Sequence, residues 1–126
     1  MINNEIIDIS QQIQSKITIL EKMRAEIRPR INEKAIASSE YDKKLAITLI
    51  KLKNGVEMEL EGEKIRNPPA STCEKIARGI CFQERLAMDQ AEASYKSLIS
   101  NIQSVMAEMN GAQSIFRYLD KGINNG

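Results

Sequence analysis

The chain has no histidine and no tryptophan, and aromatic residues make up only 4% of its 126 positions. The missing imidazole removes Ser-His and Cys-His activation of a nucleophile, the commonest general base, and every zinc set that needs a nitrogen ligand. Two cysteines, Cys73 and Cys81, cannot close a four-thiolate site within one chain. No metal or cofactor and no enzymatic activity are therefore expected. With so few large rings, the interior has to be filled by Ile, Leu, Met and Ala, the material of helix-pair cores. Charge of one sign is also missing, since 18 Lys and Arg stand against 17 Asp and Glu. That balance argues against an acidic DNA mimic and against a basic nucleic-acid coat. No apolar run approaches the roughly 20 residues that cross a bilayer. The start, Met1-Ile2-Asn3-Asn4-Glu5, lacks the basic and apolar regions of a signal peptide. A cytoplasmic protein without membrane contact is expected, with both cysteines as free thiols in a reducing compartment.

What is present is helical periodicity. Ile2, Ile6, Ile9, Ile13, Ile17, Leu20, Met23 and Ile27 recur in steps of three and four, which marks one helix face. Pro29 lacks an N–H and crowds the Ala25 carbonyl. The apolar series nevertheless resumes in phase through Ile31, Ala35, Ser38, Tyr41 or Asp42, Leu45, Leu49 and Leu52. One long helix over residues 1–53, kinked near Pro29, is predicted, with two helices meeting at Pro29 as the competing arrangement. Asn54-Gly55 ends it. Val56, Met58 and Leu60 then alternate with Glu57, Glu59 and Glu61, the period of a half-buried strand. A β-hairpin over 56–66 follows, turning at Glu61-Gly62-Glu63. After Asn67-Pro68-Pro69, the segment Ser71-Thr72-Cys73-Glu74 has the spacing of a capping box. It predicts a short helix over 71–79 with Ser71 as N-cap and Gly79 as its stop.

The last helix is predicted over 80–120, with a frayed tail from Lys121 to Gly126. Its seam has two columns: Met88, Tyr95, Ile102, Met109, Phe116, and Ala91, Leu98, Val105, Ala112, Leu119. This three-four alternation is that of a coiled coil. A helix of that length extends on the order of 55–60 Å and cannot bury its stripe in itself. The N-terminal helix, a second copy of the chain, or both must cover it. The predicted fold is mainly α: one domain, a long antiparallel helical hairpin resembling a coiled coil, with the β-hairpin and short helix at its tip. Met88, Ala91, Tyr95, Leu98, Ile102, Val105, Met109 and Phe116 are the candidate interface for a homo-oligomer or a protein partner.

Three clusters could carry chemistry. Lys75, Arg78 and Arg85, with Lys64 and Arg66 nearby in sequence, surround a helix start whose free N–H groups suit phosphate. A nucleotide or a nucleic-acid backbone could bind there; a solvated face with ion pairs to Glu74, Glu84 and Glu92 is the competing account. Glu57, Glu59, Glu61 and Glu63 could gather on one strand face as a cation site, but no Asp-rich calcium loop surrounds them. An exposed acidic edge that discourages strand pairing is the simpler account. Cys73 sits in a first helical turn, a position that can activate a thiol. It has no base beside it in the sequence, so burial is the expected role of both thiols.

From Tyr41 to Leu119 the chain resembles small uncharacterised helical proteins encoded in the early replication and recombination regions of phages and prophages of Gram-positive bacteria. The matching stretches are Tyr41-Asp42-Lys43-Lys44-Leu45-Ala46, Asn67-Pro68-Pro69-Ala70, Ile76-Ala77-Arg78-Gly79 and Ala91-Glu92-Ala93-Ser94-Tyr95-Lys96. The resemblance implies a context in the host cytoplasm and transfers no residue role. Within that context the expected role is a non-enzymatic protein that binds and modulates a host or phage protein, as a counter-defence inhibitor or an accessory of replication or recombination.

Overall fold

The computed structural model describes residues 2–125, and side-chain environments over 4–122. The order is α1 (Ile2–Lys53), β1 (Met58–Leu60), β2 (Glu63–Ile65), α2 (Ala70–Ile80) and α3 (Phe82–Asn125). The chain is mainly helical, α1 packs against α3, and the two strands form one antiparallel sheet. The residues divide into two compact units, Met1–Pro29 with Tyr95–Gly126 and Arg30–Ser94.

α1 is a single helix with Pro29 inside it, so the two-helix arrangement does not occur. Pro29 and Ala25 are both exposed, which puts the carbonyl deprived of its partner on the solvent side. Lys51 and Lys53 occupy the last turn of α1, where positive charge suits the helix dipole. A Schellman closure ends it: Val56 N–H donates to the Lys51 carbonyl at 3.0 Å and Gly55 N–H to the Leu52 carbonyl at 3.3 Å. Gly55 takes the left-handed conformation this motif needs, at φ 78°. A Cβ there would stand 2.8 Å from Asn67 Oδ1.

In the first unit, Leu20 of α1 and Leu98 and Ile102 of α3 form the buried centre, flanked by Met23, Ile27, Val105 and Met109. Lys16 Nζ donates to Glu108 Oε2 at 2.8 Å across the same two helices. In the second unit, Leu52, Cys73 and Ala77 are buried among Leu45, Leu49, Met58, Ile65, Ile76 and Ile80. There Arg30 donates to the Ser94 carbonyl at 3.0 Å, and Lys44 to Glu84 at 2.6 Å. In this unit the α1 number rises as the α3 number falls, so the helices run antiparallel.

The hairpin pairs Met58 with Ile65, Glu59 with Lys64 and Leu60 with Glu63. Its loop is the two residues Glu61 and Gly62, both at positive φ (51° and 79°), the signature of a type I′ turn. Met58 and Ile65 face the core of the second unit.

Three expectations need correction. α2 begins at Ala70 with Pro69 as N-cap and no side-chain cap, so the Ser71–Glu74 capping box does not form. Pro69 supplies the extended residue before the helix, at φ −53° and ψ 142°. Ser71 is thereby displaced into the first turn, and Glu74 pairs forward with Arg78 at 2.6 Å. Gly79 does not stop α2, which continues to Ile80 and breaks at Cys81. The glycine instead admits β1, because a Cβ would sit 3.2 Å from Leu60 Cδ2. Finally, α3 runs past Lys121 to Asn125, so the frayed tail is not seen over those residues; Gly126 lies outside the described residues.

Candidate interaction surfaces

All ten seam positions of α3 are buried or half-buried, and Leu98, Ile102 and Ala112 are the most enclosed. In the first unit Leu98, Ile102, Val105 and Met109 pack on α1 of the same chain. The structure therefore places these candidate interface residues inside the protein. Tyr95, Phe116, Met88 and Ala91 are half-buried.

The inward stripe of α1 departs from the predicted series between Ile27 and Leu45. Ile31 is 44% exposed and Ala35 is exposed, whereas Arg30, Lys34, Ala37 and Ser38 are half-buried and Tyr41 is buried. Two successive steps of four drift by about 80° around a helix, whereas a three followed by a four returns to the same face. The stripe thus passes through two cations. Arg30 satisfies its guanidinium on the Ser94 carbonyl, and its stem supplies apolar area. Asp42 is exposed, which resolves the choice between it and Tyr41.

A polar layer follows on the same helix pair. Tyr41 lies beneath Arg85, whose Cζ is 5.7 Å from the ring centroid, a cation–π distance. Arg85 Nε also meets Asp89 at 3.4 Å. A hydrogen bond with Tyr41 and then the Asp89 charge raise the Arg85 pKa further above its ordinary value. Thr48, 2% exposed, shares a hydrogen with Cys81 at 3.5 Å, either atom donating. The Lys44 hydrogen bond holds the Glu84 carboxyl below its ordinary pKa, although burial acts the other way. The second oxygen of Glu84 is buried without a partner. Thr48 and Glu84 were not legible as packed residues, because polar side chains carry no signal in an apolar series.

The candidate anion-binding residues are exposed, but two of them hold carboxylates of their own: Arg78 holds Glu74, and Arg85 holds Asp89. Lys75 is exposed on α2. The ion pair expected from Glu84 does form, but to Lys44 of α1 rather than to this cluster. The four glutamates of the hairpin do not share a strand face, since Glu61 is in the turn and Glu63 is on the opposite strand. Among the described residues no group of three metal-capable side chains assembles. Cys73 and Cys81 are both buried free thiols.

The remaining surface is rich in large apolar side chains. Ile36, Ile47 and Ile50 of α1 are 59%, 44% and 59% exposed, and Phe82 and Leu86 of α3 about as much. An open groove in the second unit is lined by Glu40, Lys43, Lys44, Ile47 and Glu84. Among the described residues no helix is long and apolar enough to cross a membrane. No family model, no curated protein and no solved structure matches the chain.

Proposed function

We propose that the chain is a non-enzymatic interaction protein of phage or prophage type, acting in the host cytoplasm. It self-associates through its helices and binds and modulates a host or phage protein. Counter-defence inhibition and an accessory part in replication or recombination are the two forms this takes. The observation that carries the reading is the apolar surface left over after the helices have packed. The inward stripes are filled, yet Ile36, Ile47, Ile50, Phe82 and Leu86 remain exposed in one unit. Single exposed apolar residues are ordinary, but several on long helix faces mark surfaces that another protein covers. Balanced charge also suits a protein partner better than a polyanion.

The test is affinity capture from a Gram-positive host lysate with the wild-type chain and with Phe82→Ser/Leu86→Ser, read by mass spectrometry. A protein retained by the wild type and lost with the double variant is expected, and the purified partner should change activity when the chain is added. Identical capture lists for the two baits, or a partner indifferent to the chain, would count against the proposal.

A further inference from the structure

α1 presents a face with a two-fold charge pattern. Ile36, Glu40, Lys43 and Ile47 follow one another in steps of four, three and four. At 100° per residue they lie within about 60° of one another around the helix. All four are exposed, Ile36 at 59% and Ile47 at 44%. The pair Ile36 and Ile47 has the same midpoint in the chain as the pair Glu40 and Lys43. A second helix of the same sequence, laid antiparallel about that midpoint, brings Ile36 onto Ile47 and Glu40 onto Lys43, each twice. Parallel pairing would instead set Glu40 against Glu40 and Lys43 against Lys43.

We propose that a second copy of this chain docks on this face of α1, antiparallel, with the two-fold axis at the level of the Tyr41–Asp42 peptide bond. Closed two-fold symmetry needs a surface complementary to itself, and this one is complementary in both apolar and charged positions. Among the described residues Glu40 and Lys43 make no ion pair within the chain, so both charges are available across the axis. Ile36 of the second copy enters the open groove beside Ile47, where Glu40, Lys43 and Lys44 line the walls. This inference rests on reading the exposed apolar faces as interaction surfaces, and it names one face and its occupant.

Sedimentation of the full chain over a concentration series tests it. The wild type should reach the mass of two chains. Glu40→Lys alone and Lys43→Glu alone each place like charges across the axis at both pairs and should weaken the dimer at least tenfold. Mixing the two variants in equal amounts should recover a heterodimer of wild-type affinity, because each then supplies the charge the other needs. Circular dichroism should stay unchanged in both, since both positions are on the exposed side of an intact helix. A wild-type chain that remains monomeric overturns the dimer, while the lysate capture remains free to succeed. A dimer that ignores both charge changes, or single variants that do not recover on mixing, overturns this face.

Discussion

Glu84 takes a 2.6 Å hydrogen bond from Lys44 on one oxygen and has no partner on the other. Its pKa is lowered in the folded protein, first by the Lys44 hydrogen bond. A depressed carboxylate stabilises the fold fully above its unfolded pKa, and this contribution disappears as pH falls through the folded value. The wild type should therefore lose stability through the acid range. Glu84→Gln should lose less, so the two curves of urea midpoint against pH converge on acidification. Curves that stay parallel from neutral pH downward would exclude the Lys44 pairing as a source of acid sensitivity. Arg30 and Thr48 are two further polar residues that the packed helix faces absorb. Each does so by handing its polar atoms to a named neighbour, the Ser94 carbonyl and the Cys81 thiol. A buried donor without such a neighbour would cost roughly 1–3 kcal/mol.

At the scale of elements, the hairpin is the part most dependent on its surroundings, because two three-residue strands are marginal in water. It persists because Met58 and Ile65 join the core made by Leu52, Cys73 and Ala77, and because Gly79 lets Leu60 come close to α2. Its turn is not optimal. Glu61 sits at φ 51°, a region that costs an ordinary side chain about 1 kcal/mol and suits Asn. Glu61→Asn should raise stability by roughly 0.5–1 kcal/mol, seen as a higher thermal midpoint with no change in helical signal. A lower midpoint would mean that the type I′ geometry is not what holds the strands in register. The start of α2 also departs from the local pattern, with Pro69 and not Ser71 as the N-cap, two residues earlier. A capping-box spacing is a local preference worth about 1 kcal/mol, and it yields when Pro69 already supplies an extended residue at the helix start.

Across the whole molecule, each unit has its own core of few residues, one centred on Leu20, Leu98 and Ile102 and the other on Leu52, Cys73 and Ala77. Leu98 is 3% exposed in the first. Leu98→Glu should therefore unfold that unit in the monomer, since an unpaired buried carboxylate costs several kcal/mol. Loss of helical signal that does not depend on protein concentration is the expected result. A folded monomer would show that the seam serves contact between chains. The periodicity of residues 2–27 and 82–119 determined that both ends of the chain are long helices with one apolar face each, because that pattern has no other regular solution. Asn54-Gly55 and the alternation after it determined where α1 stops and a hairpin begins, since positive φ and the two-residue period are local properties. What α3 packs against was not determined locally: a heptad seam accepts a neighbour from its own chain or from another equally well. Only the tertiary structure decided that Leu98 and Ile102 meet Leu20, and that the α1 stripe turns through Arg30 and Lys34. That turn leaves Ile31 and Ala35 outside, because burial depends on the angle a residue occupies around the packed helix and not on its own hydrophobicity.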